Sequence, residues 1–155
     1  MVKPFTSPVR QRGVNAVELM TVLAIVAVLA GVAAPGMTDM VASQRVKAAS
    51  SDIHTALLLA RSEAIKRNTE VEISPSPNGW AGGWTISDGG DSPIGAQGRY
   101  SNLTISGPDS VVYSGTGRLS GDTAPEFELG AESTDNVRCV TVDLSGRPAI
   151  KKTAC

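Results

Sequence analysis

The sequence predicts an α+β fold in which one long N-terminal helix packs against an antiparallel β-sheet. Two observations carry this prediction. Up to about residue 67, apolar residues form one continuous run and then recur at steps of three and four, the helical period. From residue 69 onwards, short alternating runs are separated by glycine and proline, which is typical of strands joined by hairpins. A chain of 155 residues is long enough for one domain with one appendage.

A short basic segment, followed by Glu18 as the first acid of the chain, precedes a long apolar segment. Residues 19–34 carry no charge, and residues 14–37 extend about 36 Å as a helix, which is enough to cross a hydrocarbon layer of about 30 Å. Cations before such a segment keep the N-terminus cytoplasmic and send the rest of the chain across the membrane. Those cations are Lys3, Arg10 and Arg12.

A cleavable secretory signal is one alternative for this N-terminus, because a basic start, an apolar run and small residues near Ala33 fit its outline. The length of the run, the carboxylate of Glu18 and the proline at position 35 argue against it. A carboxylate inside a membrane helix costs about 2.5 to 3.5 kcal/mol at mid-depth and usually has a partner. Glu18 therefore either lies at the headgroup level or is compensated by another group.

Residues 37–67 are predicted to form an amphipathic helix that ends near Arg67-Asn68. Residues 69–155 are predicted to form the sheet, and we expect either Trp80 or Trp84 to anchor it on the helix. The strand candidates are TEVEISP, GWTIS, YSNLTIS, SVVYS, PEFELG and VRCVTVDLSG. The predicted apolar stripe of the helix is Val46, Ala49, Ile53, Leu57, Ala60 and Ala64.

Catalysis and metal binding find little support in the sequence. The one histidine, His54, falls within the predicted helix, and no catalytic motif surrounds it. Asp88 and Asp91 lie in a glycine-rich loop that supplies too few oxygen ligands for calcium. The sequence therefore predicts no enzyme, no cofactor and no metal site.

Cys139 and Cys155 are the two cysteines of the chain. If the C-terminal part lies outside the cytoplasm, they form one disulfide, worth about 3 kcal/mol for a loop of this size. In a reducing cytosol they would remain two thiols. Two cysteines and one distant histidine are too few ligands for zinc.

The C-terminal segment, residues 137–155, is locally basic, with four cations against Asp143. The rest of the chain is not, since residues 14–155 carry eleven cations and fifteen acids. If Ser145-Gly146 forms a two-residue hairpin turn, Arg147 and Lys151 lie on one side of the returning strand. Phosphate contacts there would give salt-dependent DNA binding, and a solvated edge or a contact with an acidic neighbour is the alternative. The four cations are Arg138, Arg147, Lys151 and Lys152.

The stretch GVNAVE, residues 13–18, lies between the basic leader and the apolar run and resembles the N-terminal signal of type IV pilins and type II secretion pseudopilins. The resemblance implies that prepilin peptidase cuts after Gly13 and methylates the new N-terminus at Val14. It also implies that Glu18 pairs with the N-terminal amine of a neighbouring subunit, and that Pro35 kinks the helix. Val14 stands where Phe or Met is usual, and Asn-Ala follows in place of Thr-Leu or Ser-Leu.

The second half of the chain resembles the GspH/FimT group of minor pilins and pseudopilins, through ALLLARSEAIKRNTEVEISP, GWTISDG, VVYSGTGRLSG and CVTVDLSGRPAIKKTAC. The resemblance implies a pilin-like fold, with a leader (1–13), a transmembrane and assembly helix (14–36) and a periplasmic domain (37–155). It implies that the chain leaves the inner membrane to join a type IV pilus with other pilins, or the pseudopilus of a type II secretion system. An unprocessed, membrane-anchored periplasmic domain is a third alternative.

In some FimT-like proteins a Gly-Arg-x-Arg motif near the C-terminus contacts DNA. Gly146-Arg147 matches the first half of that motif, but Ala149 occupies the place of the second arginine. Lys151, two residues further on, is the nearest substitute.

Overall fold

The computed structural model describes residues 15–90 and 92–155, and for residues 32–36 it describes the backbone alone. Gly13 and Val14 lie outside the described residues, as does Asp91, and the Pro35 side chain lies outside the description. Within the described residues the backbone forms one helix and eight strands. They are α1 (Ala16–Arg67), β1 (Val71–Ser76), β2 (Gly79–Ser87), β3 (Gly95–Gln97), β4 (Thr104–Ser106), β5 (Val111–Tyr113), β6 (Glu126–Ala131), β7 (Thr134–Val142) and β8 (Pro148–Lys151).

The chain divides into two compact units, the first ending at Met37 and the second running from Thr38 to Cys155. Helix α1 contributes residues to both. The buried hydrophobic residues of the described chain all fall between Ala42 and Val142. The second unit therefore contains a complete core of its own.

Helix α1 ends where the sequence predicts, at a left-handed residue. Asn68 has a φ of 52°. Its N–H donates to the carbonyl oxygen of Ile65, and the N–H of Thr69 donates to that of Ala64, both at 3.3 Å. These two bonds are the Schellman arrangement, which satisfies the last free carbonyl groups of the helix.

The predicted apolar stripe of α1 is confirmed, because all six of its side chains are fully buried. Ile53 and Leu57 are the largest of them, and they pack in one cluster with residues from the strands. Burying a side chain of this size contributes about 1.5 to 3 kcal/mol. The predicted α+β fold, with the helix packed on the strands, is therefore confirmed.

The strands form two four-stranded antiparallel sheets, where the sequence predicted one. Sheet A has the order β3-β2-β1-β5, and sheet B has the order β4-β6-β7-β8. The chain enters sheet B at β4, returns to sheet A at β5, and then completes sheet B. Alternation along a single strand does not reveal this exchange, because it depends on which distant strand each short segment pairs with.

Trp80 and Trp84 are both buried, and together they join the two sheets and the helix. The Trp80 ring meets Phe127 of sheet B edge to face at 4.8 Å, and its indole N–H donates to the carbonyl oxygen of Pro108 at 2.7 Å. The Trp84 ring stacks on Tyr100 at 5.7 Å. The Tyr100 hydroxyl in turn donates to the Asp52 carboxylate of α1 at 2.7 Å, so the expected tryptophan anchor on the helix is Trp84, acting through Tyr100.

Candidate functional site

The first turn of α1 is capped by a side chain. The Asn15 amide oxygen accepts a hydrogen bond from the N–H of Val17 at 3.4 Å, and the Asn15 carbonyl accepts one from the N–H of Leu19 at 3.1 Å. Asparagine is a strong N-cap residue. Glu18 lies in this first turn, where the partial positive charge of the helix N-terminus favours a carboxylate. A residue that departs from the usual family signal therefore serves to start the helix.

The helix that follows exposes an apolar surface. Nine large apolar side chains between Val17 and Leu29 are each more than half exposed. A contiguous apolar surface of this kind marks a contact with lipid or with other protein. The nine are Val17, Leu19, Met20, Val22, Leu23, Ile25, Val26, Val28 and Leu29. No helix among the residues that the structure describes combines the length and the apolar character that a membrane crossing requires.

The C-terminal hairpin, β7 and β8, turns through five residues. Val142 pairs with Pro148, so residues 143–147 form the connection, and the predicted two-residue Ser145-Gly146 turn is wrong. Gly146 has a φ of 83°, and its N–H donates to the carbonyl oxygen of Asp143 at 2.8 Å. The Asp143 side chain favours the longer turn, because its carboxylate accepts a hydrogen bond from the N–H of Arg147 at the other end of the connection.

The Asp143 carboxylate organises this turn. It accepts hydrogen bonds from the Ser145 hydroxyl and, at 3.0 Å, from the N–H of Arg147. These two bonds, followed by the nearby Arg147 charge, hold the pKa of the Asp143 carboxyl below its usual value. The Arg147 guanidinium lies 3.5 Å from the same carboxylate, yet 73% of its side chain is exposed. The turn therefore presents Arg147 in a fixed place.

The four cations of the tail do not share one face of sheet B. Arg138 pairs with Leu129, a fully buried residue, so it lies on the face that carries the core. Lys151 pairs with Cys139, which pairs with Glu128, and these three lie on the opposite, outer face. Arg147 lies in the connection before β8, and Lys152 follows β8. Two acids of β6, Glu126 and Glu128, share this outer face.

The predicted disulfide is confirmed, since Cys139 and Cys155 are bonded with their Cα atoms 5.1 Å apart. The tail after β8 therefore crosses back over β7. At its end the N–H of Cys155 donates to the Glu128 carboxylate at 3.1 Å. The disulfide and this hydrogen bond fix the tail on the outer face of sheet B.

A contact between two glycine turns is a feature that the sequence did not predict. A methyl group on Gly146 would overlap the carbonyl oxygen of Gly117, whose own φ is 75°. Arg61 of α1 donates its Nε–H to that same oxygen at 3.0 Å. The turn GTGRLSG, residues 115–121, thus joins the helix to the C-terminal hairpin. In the sequence, the signals for this contact are the glycine in each turn and the arginine on the helix.

A second set of charges closes the end of α1. Arg67 donates to Glu63 at 2.8 Å and to Asp88, in the loop after β2, at 2.7 Å. The hydrogen bond from Arg67, joined by one from Lys66, lowers the pKa of Glu63.

His54 is half-buried on α1. In the part of the chain that the structure describes, no group of three or more His, Cys, Asp and Glu side chains is placed to hold a metal ion.

Comparison with known families decides the assignment. The family model described as "Type II transport protein GspH" matches residues 49–146 of the chain. The chain belongs to the GspH family. The matched region of this GspH-family protein runs from the buried face of α1 to the turn at Gly146, and the cations from Arg147 onwards lie beyond it.

Solved structures share the fold of the GspH-family chain. The type IV minor pilin FimU of Pseudomonas aeruginosa (strain PAO1) matches with a TM-score of 0.64 and 21% identity, over 72% of this chain and 93% of that one. The minor pseudopilin EpsH from the Type 2 Secretion System of Vibrio cholerae matches with a TM-score of 0.56 and 14% identity, over 70% and 97%. No curated protein sequence matches this chain significantly.

Proposed function

We propose that this chain is a minor pilin, a non-enzymatic subunit that assembles into a type IV pilus fibre. The observation that carries the proposal is the exposed apolar surface from Val17 to Leu29, which follows a carboxylate in the first helical turn. Membership of the GspH family supports it. An apolar helix surface with one charge at its start suits a subunit that exchanges lipid for neighbouring helices.

In this proposal the protein begins as a single-pass inner-membrane protein with a cytoplasmic N-terminus and a periplasmic C-terminal domain. Prepilin peptidase cuts after Gly13 and methylates Val14. The helix then moves from lipid into contact with the helices of other pilins, where close packing and interhelical polar contacts replace lipid contacts. Glu18 sets the axial register, because the amine of the adjacent subunit compensates its charge at one offset alone.

Substitution of Glu18 tests this role. Glu18→Ala is expected to insert into the membrane as wild type does but to be absent from purified fibres. Thr21→Ala is the matched control, since the Thr21 hydroxyl donates to the carbonyl oxygen of Val17 within its own helix and carries no charge. Normal incorporation of Glu18→Ala contradicts the proposed register role.

The pseudopilus of a type II secretion system is the alternative fibre, because the fold is shared with FimU and with EpsH. The disulfide-closed basic tail favours the pilus. Deletion of the gene separates the two: loss of surface pili with normal secretion supports the minor pilin, and loss of secretion with normal pili supports the pseudopilin. Genes for pilus or secretion components beside this one provide an independent indication.

DNA binding at the fibre surface is a second candidate function. It is favoured by the exposed Arg147, which Asp143 holds in the same hairpin as Lys151. It is opposed by the position of Arg138 on the other face and by the nearby acids of β6. A gel-shift series with residues 38–155, which contain the complete core, tests it over increasing salt. No shift at low salt, or one that Arg147→Ala and Lys151→Ala leave unchanged, removes this function.

A further inference from the structure

A depression of about 710 Å³ lies beside the β6–β7 turn and is lined by residues of β2, β4, β6 and β7. Gly130 of β6 pairs with Thr104 of β4 at its floor. A Cβ atom on Gly130 would come within 3.4 Å of the Thr104 hydroxyl oxygen and 3.7 Å of a Val137 methyl carbon. These are ordinary contact distances, so a larger side chain at position 130 would occupy the depression, and glycine keeps it open.

Two smaller depressions, of about 420 and 460 Å³, adjoin the first. Glu132 lines all three. We call the three together the Glu132 groove. It runs from β4 and β6, past the β6–β7 turn, to Asp39 near the start of the second unit.

The groove combines apolar walls with acidic ends. Its carboxylates belong to Asp39, Glu128, Glu132 and Asp135, and none of the described Lys, Arg or His residues lines any of its three parts. Glu128 already accepts the N–H of Cys155, whereas the ion pairs of the described residues involve neither Glu132 nor Asp135. The apolar walls of its largest part are Ala81, Leu103, Ile105, Ala131 and Val137.

This chemistry fits a long cationic side chain. Lysine and arginine place their aliphatic stems along apolar surface while the charged head reaches a polar group. In the Glu132 groove the stem would lie against Val137 and Ala131, and the head would meet the Glu132 carboxylate. An arginine would do so with two parallel hydrogen bonds. A phosphate or an acidic peptide would be repelled, so nucleic acid does not suit this surface.

We infer that the Glu132 groove docks a protruding loop of a neighbouring protein subunit through a lysine or arginine. This surface belongs to the second unit and shares no residue with the apolar helix surface of the proposed function. Failure of the helix to assemble would leave the groove and its chemistry intact. Removal of the groove, conversely, would leave processing and membrane insertion intact.

The test uses residues 38–155 with the disulfide formed and, as the probe, the blocked pentapeptide acetyl-Gly-Gly-Arg-Gly-Gly-amide. Its matched control is the same peptide with citrulline, a neutral isostere, in place of arginine. Amide chemical shifts are followed by NMR during titration at low salt. We expect saturable shifts at Gly130, Glu132 and Val137 with the arginine peptide, and none with the citrulline peptide.

Two variants remove different parts of the groove. Glu132→Gln removes charge and keeps shape, whereas Gly130→Val fills the floor and keeps charge. Each is expected to weaken binding at least about fivefold, which corresponds to about 1 kcal/mol. Glu126→Gln is the control, because Glu126 is a carboxylate of β6 that lines no part of the groove; its effect should stay below about twofold.

Neither Gly130 nor Glu132 belongs to the buried core. An unchanged thermal midpoint for each variant confirms that it folds. Equal weakening by Glu126→Gln and Glu132→Gln would indicate general attraction to an acidic surface and overturn the inference. Shifts that map elsewhere, or no saturable shift with the arginine peptide, would overturn it equally.

Discussion

The Tyr100 hydroxyl donates a 2.7 Å hydrogen bond to the carboxylate of Asp52, which ties the loop after β3 to helix α1. Burial and this bond raise the pKa of the tyrosine hydroxyl. Tyr113 offers a contrast within the same unit. Its hydroxyl is buried and has no hydrogen-bond partner among the described residues.

The two tyrosines predict opposite responses to the same substitution. Tyr100→Phe is expected to lower the free energy of unfolding by about 1.5 to 3 kcal/mol, because it removes a hydrogen bond to a charged group. Tyr113→Phe is expected to be neutral or stabilising, since it removes an unpaired buried hydroxyl. Urea unfolding of residues 38–155 measures both. A larger loss for Tyr113→Phe than for Tyr100→Phe would contradict this assignment.

The contact between the two glycine turns predicts a large cost at Gly146. Gly146→Ala is expected to cost about 2 to 5 kcal/mol, about 1 to 2 from the left-handed backbone and the rest from overlap with the Gly117 carbonyl. Gly89 is the matched control, because its φ of 81° is similar but no described residue other than its chain neighbours lies within 4 Å of an added Cβ. Gly89→Ala should therefore cost only the backbone part, about 1 to 2 kcal/mol. Equal unfolding free energies for the two variants would show that the turns do not pack closely.

Reduction of the disulfide is expected to destabilise the second unit. Cys139 and Cys155 are 16 residues apart, and opening a loop of this size costs about 3 kcal/mol. Cys155→Ala should show the same loss without reductant and no further loss with it. Unfolding curves with and without dithiothreitol provide the measurement, and a reductant effect that persists in Cys155→Ala would point to another cause.

Acid is expected to loosen the C-terminal turn. The pKa of the Asp143 carboxyl is lowered from its usual 3.8 by the Ser145 hydroxyl and the Arg147 N–H. A lowered pKa in the folded state means that the stabilisation is present above about pH 4 and is lost as the pH falls through the lower folded value. Thermal midpoints measured from pH 6 to pH 2 should therefore fall more steeply for wild type than for Asp143→Asn. Parallel curves would exclude a contribution from this carboxylate.

The helix was the part of the fold that the sequence predicted best. Its stripe from Val46 to Ala64 has a single period, and its end at Arg67 is marked by a residue that tolerates the left-handed conformation. Both signals are local, so they can be read from neighbouring residues. The sequence shows that Asn15 departs from the usual signal, but its capping role depends on the geometry of the first turn.

The sheets were harder to predict because pairing is not local. β3 and β4 have three residues each, too few for a period, and the exchange of β4 and β5 between sheets depends on distant partners. Arg138 and Lys151 lie on opposite faces for the same reason. The register of β7 with β6 sets the face of Arg138, and the register of β8 with β7 sets the face of Lys151. The Glu132 groove brings together four strands and a turn, so no single stretch of sequence indicates it.

The mass of the protein purified from cells that contain a prepilin peptidase tests the central claim most directly. The account predicts a polypeptide that begins at Val14 and carries one methyl group on its N-terminal amine, with Glu18 as its fifth residue. Cells that lack the peptidase should yield the uncut chain, which serves as the control. A chain that keeps residues 1–13 in the presence of the peptidase would contradict the account.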